Sequence, residues 1–208
     1  MGLWGMSLGG AIALSAASID PRARLVVAVC PAVEYRYDAA KLPKVLEKCM
    51  RDRQSQALGN EPFYLPMMND DGQNQAGFEF GIEPAVGKRM AAAAQAYAHY
   101  HPNRTTLQSY ARLLLWHPAP MWRTLGATPA LFVVPELDAL CPADVQVQHY
   151  EGITGPKRLT VRKGRGHMDV LEGDGFADLM ELQIAFVQDA LDGRVVAADA
   201  EGAAAAAK

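Results

Sequence analysis

The sequence predicts an α/β fold built on a mostly parallel β-sheet that carries an inserted helical cap. Two short apolar runs, residues 25–30 and 129–135, are bounded by prolines, which is typical of parallel strands buried on both faces. A third run, residues 157–162, alternates polar and apolar side chains and indicates a strand nearer the sheet edge. Helix-like stretches separate these runs, so strands and helices alternate along the chain.

A glycine-flanked serine near the start of the sequence predicts a further strand and the helix after it. The G-x-S-x-G pattern of residues 5–9 follows a short apolar run and precedes small and apolar residues. Such a pattern is typical of a strand, a sharp turn with Ser7 at its tip, and a helix. A serine in a strained backbone conformation needs neighbours without side chains, so we expect both Gly5 and Gly9 to permit close approach of strand and helix.

Residues 31–124 differ in character from the rest of the chain, being polar, mixed, and rich in Met, Tyr and Pro. The segment is too long to be a simple connection between strands, which predicts a helical cap inserted over the sheet. An irregular loop is expected over residues 59–80. Helices are predicted over residues 42–56, 83–99 and 105–115.

The sheet domain is predicted to comprise residues 1–30 and 125–193. Its later helices are expected near residues 144–150 and over residues 176–191, where apolar side chains mark one broad face. Residues 194–208 are dominated by Ala, Asp, Glu and Gly, and we expect a disordered tail there.

Composition and charge argue against several classes of protein. A net charge of −3 and an isoelectric point of about 5.9 argue against nucleic acid or an anionic membrane as partner. No window approaches the roughly 18 apolar residues of a membrane span, and residues 1–14 lack the basic region of a signal peptide. The three cysteines are too scattered for a disulfide framework or a zinc site. We therefore expect a cytoplasmic protein with reduced thiols and no metal.

The position of the serine motif predicts a truncated chain. A doubly wound sheet normally has several strands before such a turn, and four missing strand units amount to on the order of a hundred residues. We therefore expect a fragment or a shortened relative of a longer protein. Its exposed sheet edge would favour self-association into a homo-oligomer.

A carboxylate and a histidine follow two further predicted strands. Asp138 comes just after the strand at 129–135, and His167 lies in the glycine-rich loop after the strand at 157–162. Ser7, Asp138 and His167 therefore each follow a strand, at the rim where open α/β sheets place their ligands. They also occur in the order of one known serine–acid–histidine arrangement.

These residue types are the ones that nucleophilic acyl transfer requires. A serine hydroxyl needs a base to take its proton, and a histidine, which titrates at about 6.5 in model peptides, can do so at neutral pH. The aspartate holds the imidazole in the required tautomer. The N–H of Leu8, directly after the nucleophile, is expected to be one oxyanion donor. No substrate-binding residue is assigned.

Alternatives remain for several positions. Glu136 and Asp144 compete with Asp138, although Glu136 is one position from the strand and Asp144 resembles an acid in the first turn of a helix. Ser7 could lie in a glycine-rich turn without chemistry, and His167 could be a solvated loop residue. One set of aromatic and methionine side chains in the cap either lines an acyl pocket or forms core: Phe63, Tyr64, Met67, Met68, Phe78, Phe80 and Trp116.

Five stretches resemble the α/β-hydrolase superfamily, and more narrowly its fungal branch of polyketide transferases and thiohydrolases. They are GLWGMSLGGAIALSAASIDPR, AVCPAVEYRYDAAKLPKVLEKCMRDRQSQ, NRTTLQSYARLLLWHP, VVPELDALCPADVQ and GRGHMDVLEGDGFADLMELQIAFV. The resemblance implies the α/β-hydrolase fold and a catalytic triad of Ser7, Asp138 and His167. It also implies hydrolysis of a small-molecule ester or thioester, such as a polyketide in secondary metabolism, without a cofactor. An acyltransferase with the same triad and a non-catalytic remnant are the alternatives.

Overall fold

The computed structural model describes residues 1–69, 73–79, 87–89, 92, 96 and 103–196. The chain forms two compact units, one made of Met1–Glu34 with the chain from His117 onwards, and one made of Tyr35–Trp116. Most of the helix predicted at 83–99 lies outside the described residues. The same is true of residues 197–208 of the predicted tail.

The first unit is built on a four-stranded parallel sheet. Its strands are β1 (Gly2–Met6), β2 (Leu25–Val29), β3 (Ala130–Pro135) and β4 (Lys157–Arg162). Their order in the sheet is β1-β2-β3-β4, and all three neighbouring pairs are parallel. Every residue of β2 and β3 is buried, which agrees with the prediction that these apolar runs are covered on both faces of the sheet. The predicted α/β class is confirmed.

Six helices have their bounds within the described residues. The prolines, glycines and apolar periodicity of the sequence locate most of these bounds to within two residues. The helix expected to start at Thr105 begins at Leu107 instead, because Thr105–Thr106 forms a short strand. The helices are α1 (Leu8–Ile19), α2 (Leu42–Ala57), α3 (Leu107–Leu115), α4 (Ala119–Trp122), α5 (Ala143–Glu151) and α6 (Phe176–Leu191).

The core of the first unit lies on both faces of the sheet. On one face, Leu179 and Phe186 of α6 pack against alternate residues of β2 and β3, which include Val27. Val195 is buried in the same cluster, and the N–H of Lys157 donates to the carbonyl of Val196 at 3.4 Å. Residues 194–196 of the predicted disordered tail are therefore held in place, because Val195 is buried and Arg194 forms ion pairs with Asp189 and Asp192.

The opposite face of the sheet shows why the boundaries of the insertion differ from those predicted. Trp122 is fully buried, contacts Phe132 of β3, and donates from its indole N–H to Ser15 of α1 at 3.1 Å. Ala32 and Val33 are buried as well. Residues 31–34 and 117–124, which were predicted to lie in the cap, therefore belong to the sheet unit.

The second unit has its own apolar core between α2 and α3. This core includes Val45, Cys49, Phe78, Leu107 and Tyr110. Two antiparallel ribbons of two-residue strands accompany the helices, and both use residues of the segment that was expected to be an irregular loop. The ribbons pair Arg36–Tyr37 with Phe78–Glu79 and Tyr64–Leu65 with Thr105–Thr106.

The aromatic residues of this unit divide between core and surface. Phe78 is core and contacts Tyr35 and Tyr37, whereas Phe63 and Met67 are exposed. Phe80 lies outside the described residues. That this unit covers the sheet stays a prediction.

A buried carboxylate ties together the parts of the second unit. Asp52 of α2 accepts hydrogen bonds from the Phe63 N–H at 2.8 Å, from Gln56 at 2.7 Å and from Gln108 of α3 at 2.8 Å. Burial by itself raises the pKa of this carboxyl, but the three hydrogen bonds outweigh burial and hold the pKa below its usual value. Asp52 therefore stabilises this unit as an ionised group.

Within the described part of the chain, every helix is too short or too polar to span a lipid bilayer.

Candidate active site

Ser7 lies at the turn between β1 and α1 in a backbone conformation that side chains rarely adopt. Its φ is 55° and its ψ is −127°, and such a conformation costs about 1–3 kcal/mol in a residue other than glycine. Neighbouring backbone holds it in place, because the Ser7 N–H donates to the Val29 carbonyl at 2.9 Å and the Ser7 carbonyl accepts from the Ala32 N–H at 3.0 Å. The segment after β2 thus fixes the turn after β1.

The glycines around Ser7 are not equivalent. A Cβ atom on Gly5 would lie 2.1 Å from the carbonyl oxygen of Gly9, and one on Gly10 would lie 3.1 Å from the carbonyl oxygen of Gly5. A Cβ atom on Gly9 would meet nothing within 4 Å. The expectation that both glycines of the motif are needed for close approach therefore holds for Gly5 and is wrong for Gly9. Gly10, just outside the motif, is the second crowded position.

The structure brings the three predicted site residues together. The His167 Nε2 atom lies 2.8 Å from the Ser7 Oγ, and the His167 Nδ1 atom lies 2.8 Å from the Asp138 Oδ2. Asp138 and His167 are buried, and Ser7 is half-buried. Because an ionised carboxylate only accepts hydrogen bonds, this network assigns the imidazole proton to Nδ1 and leaves Nε2 to accept from the Ser7 hydroxyl.

Asp138 receives three further hydrogen bonds. Its Oδ1 accepts from the N–H groups of Leu140 at 3.0 Å and Cys141 at 2.8 Å, in the turn between β3 and α5. Its Oδ2 accepts from the side-chain amide of Gln146 at 3.0 Å, beside the bond from His167. The carboxylate is thus held in one orientation by its own turn and by the helix that follows.

The two competing carboxylates face elsewhere. Glu136 accepts from Lys163 at 2.7 Å and from the Gly164 N–H at 2.8 Å. These hydrogen bonds, with Lys163 first, hold the pKa of Glu136 below its usual value. Asp144 lies in the first turn of α5. Asp138 is therefore the acid of this set that contacts His167.

Gln146 is the site residue that the sequence analysis missed. It is completely buried in α5, and its amide nitrogen donates to the Asp138 Oδ2 at 3.0 Å and to the Cys141 carbonyl at 2.6 Å. Its Oε1 is one of the few buried side-chain polar atoms of the described residues that has no hydrogen-bond partner. Such an atom costs about 1–3 kcal/mol. A glutamine in a short helix normally predicts exposure, so no pattern in the sequence singles it out.

The thiol of Cys30 lies beside the imidazole of His167. Cys30 directly follows β2 with a φ of 37°, and its Sγ lies 4.0 Å from the His167 Nε2 and donates to the His167 carbonyl at 3.8 Å. Donor atoms of Cys30, Asp138 and His167 lie within 4.8 Å of one another, a spacing that a metal ion could also bridge. Burial, however, raises the pKa of this thiol to about 12, whereas a metal ligand must be a thiolate.

Leu8, the expected oxyanion donor, is the first residue of α1. The N–H groups of the first helical turn have no partner within the helix. The Leu8 N–H therefore lies beside Ser7 at the positive end of the helix dipole.

A cavity of about 240 Å³ lies elsewhere in the first unit, beside α4 and α5, and none of Ser7, Asp138 and His167 lines it. Its wall includes Glu34, Arg123 and His149, and the imidazole of His149 contacts Trp122. Burial lowers the pKa of His149.

Comparisons with known proteins agree with this architecture. Residues 2–179 match the model of the alpha/beta hydrolase family. The chain is 40% identical over 185 residues to a thiohydrolase of Eupenicillium brefeldianum, which covers 89% of this chain and 60% of that protein. It is also 40% identical over 197 residues to the polyketide transferase claH of Penicillium crustosum, which covers 92% of this chain and 64% of that protein.

Among solved structures, that of DcsB in complex with its substrate analogue is similar. Its TM-score is 0.78 at 35% sequence identity, and the match covers 89% of this chain and 63% of that chain. The chain thus spans less than two thirds of the length of each of these relatives. Because the family model matches most of the chain, from β1 into α6, this protein belongs to the alpha/beta hydrolase family.

Proposed function

We propose that this chain is a serine hydrolase that cleaves a small-molecule ester or thioester through an acyl-enzyme on Ser7. In this proposal His167 is the general base and Asp138 orients it. The observation that carries the proposal is the continuous hydrogen-bonded chain from the Ser7 Oγ through both ring nitrogens of His167 to Asp138, with both distances at 2.8 Å. A serine in a strained turn, hydrogen-bonded to a histidine that a buried carboxylate orients, is typical of nucleophilic catalysis.

The proposed reaction has two half-reactions. The Ser7 Oγ attacks the acyl carbon while its proton passes to the His167 Nε2, and the resulting oxyanion accepts a hydrogen bond from the Leu8 N–H. Collapse of this intermediate releases the thiol or alcohol, which takes the proton from Nε2. Water then attacks the acyl-enzyme and gives its proton to His167. The second tetrahedral intermediate collapses with release of the acid, and the Ser7 Oγ takes the proton back from the His167 Nε2. Asp138 stays ionised and stabilises the imidazolium.

Transfer of the acyl group to an alcohol is the second candidate, since it uses the same acyl-enzyme. Relatives of this chain include both a thiohydrolase and a polyketide transferase, which favours an acyl thioester such as a polyketide as the substrate class. The two reactions differ only in what enters the second half-reaction. Product analysis with a thioester substrate, in the presence and absence of an alcohol acceptor, separates them.

Labelling with a fluorophosphonate probe tests the nucleophile directly. We expect a single adduct on Ser7, loss of the adduct in Ser7→Ala, and a fall in hydrolysis of more than ~10³-fold. Ser18→Ala is the control, because this hydroxyl of the same helix only bonds the Leu14 carbonyl. A folded protein in which the probe leaves Ser7 unmodified would refute the proposal.

A non-catalytic remnant is the competing hypothesis from another class of protein. A cooperative thermal transition together with labelling of Ser7 counts against it. We also propose that the chain acts without a cofactor, in the cytoplasm, and that it associates through β1, because β1 pairs only with β2 among the described strands and carries the exposed Trp4.

A further inference from the structure

The amide of Gln146 is fixed in one orientation by the groups it contacts. Its nitrogen faces the Asp138 Oδ2 and the Cys141 carbonyl oxygen, at 3.0 and 2.6 Å. Both of these atoms only accept hydrogen bonds, so a flipped amide would place its oxygen against two acceptors. The observed orientation leaves the buried Oε1 without a partner. The residue therefore donates both amide protons at the expense of its own acceptor.

This arrangement has an electrostatic consequence for the neighbouring pair. The Asp138 Oδ2 is shared between the His167 Nδ1 and the amide of Gln146, and the positive end of the amide dipole points at that oxygen. A donor on a carboxylate spreads its negative charge and so weakens its attraction for an adjacent imidazolium. The amide also fixes the plane of the carboxylate, together with the two N–H groups of the turn.

We propose that Gln146 is a positioning residue that sets the orientation and the charge of Asp138, and through Asp138 the proton affinity of His167. This inference rests on the proposed function only in assigning His167 the role of base. The contacts that carry it do not depend on which substrate the protein uses.

Other titratable groups around the imidazole do not supply this effect. The thiols of Cys30 after β2 and Cys141 before α5 lie at the site, and the carboxylate of Asp169, in the loop of His167, accepts from the Gly166 N–H at 2.6 Å. Burial raises the pKa values of the two thiols to about 12 and about 11, so both are neutral at physiological pH. Glu34, after β2, acts on Cys141 and is exposed. Asp138 is thus the charged group in direct contact with His167.

The test replaces Gln146 and measures the titration of His167 by NMR, a readout that needs no catalysis. Gln146→Met keeps the length of the side chain and removes the donor. We expect the midpoint of the His167 titration to rise by about half to one pH unit. Gln146→Leu also removes the donor with an apolar side chain, and we expect a rise of similar size. Resonances of His167 are assigned by comparison with His167→Gln.

Gln183→Met is the matched control. Gln183 is also a buried glutamine, but it accepts from the Trp4 indole and has no contact with the site. We expect it to lower the unfolding temperature and to leave the His167 midpoint unchanged. In an active preparation, the acid limb of kcat/KM should follow the NMR midpoint, with KM for a small ester unchanged in Gln146→Met.

Two results would overturn the inference. One is an unchanged His167 midpoint in folded Gln146→Met and Gln146→Leu, and the other is an equal shift in Gln183→Met. If Gln146→Met does not fold, the Gln146→Leu titration decides. A shifted midpoint in a protein whose Ser7 resists the fluorophosphonate would support the positioning role while refuting the proposed function, so the two failures are distinguishable.

Discussion

Replacing Gly5 with alanine is expected to disrupt the turn that carries Ser7, because the added methyl group has no room. Its Cβ would lie 2.1 Å from the carbonyl oxygen of Gly9 and 2.7 Å from the amide nitrogen of Gly10. Both atoms belong to the backbone of α1, so strand and helix must separate to relieve the clash. Overpacking costs about 1–3 kcal/mol where side chains can adjust. We expect Gly5→Ala to lower the free energy of unfolding by about 3 kcal/mol or more, because the backbone atoms that it meets cannot move aside as side chains can.

Thermal unfolding and probe labelling measure the two consequences. A loss of about 3 kcal/mol lowers the unfolding temperature of a protein of this size by roughly 6–12 °C. Displacement of the turn also lengthens the 2.8 Å bond between the Ser7 Oγ and the His167 Nε2. Fluorophosphonate labelling of folded Gly5→Ala should therefore be much slower than that of the wild type.

Gly9→Ala is the matched control within the same motif. Its Cβ would meet nothing within 4 Å, and alanine is the better helix former by up to about 1 kcal/mol. We expect this variant to melt at or above the wild-type temperature and to label normally. A Gly5→Ala protein that melts and labels like the wild type, or a Gly9→Ala protein that is equally impaired, would refute the steric reasoning.

Three further outcomes are expected. Asp52→Asn should destabilise the second unit by about 1.5–3 kcal/mol at neutral pH, as measured by urea unfolding. Because the folded-state pKa of Asp52 is lowered, this difference should persist at every pH above 3.8, the ordinary pKa of the group. It should disappear as the pH falls through the folded-state pKa. The three cysteines are buried and their pKa values are all raised, so they should resist alkylation by iodoacetamide in the native protein and react in urea. Mass spectrometry measures the alkylation, and alkylated cysteines in the native protein would contradict this prediction. Size-exclusion chromatography should show concentration-dependent self-association that Trp4→Lys reduces, whereas a monodisperse wild-type monomer would count against association through β1.

The sheet was predictable from the sequence because its strands are continuous apolar runs. Residues 25–29 and 130–135 are buried on both faces of the sheet, so nearly every one of their side chains must be apolar. The serine turn was predictable for a related reason, since its backbone geometry needs glycine nearby. Which glycine matters was not predictable, because the contact of Gly5 with Gly9 arises from the crossing of two elements.

The parts that the sequence does not predict depend on contacts between distant residues. Gln146 contacts Asp138 because α5 folds back beside the turn that holds the carboxylate. Trp122 joins the sheet unit through Phe132 and Ser15, although its neighbours in sequence resemble the polar segment before it. Val195 is one of two adjacent valines in a polar and alanine-rich segment, and it is buried in the core of the first unit. Periodicity and composition carry no signal for such pairings.

Among the described residues, the backbone hydrogen bonds that hold Ser7 all come from residues of the first unit. One of them comes from Ala32, only three residues before the second unit begins at Tyr35. The turn that carries Ser7 is therefore held in place before the chain enters the inserted segment. Lengthening, exchanging or remodelling Tyr35–Trp116 leaves that attachment in place, so the conformation of the Ser7 turn does not depend on the inserted sequence.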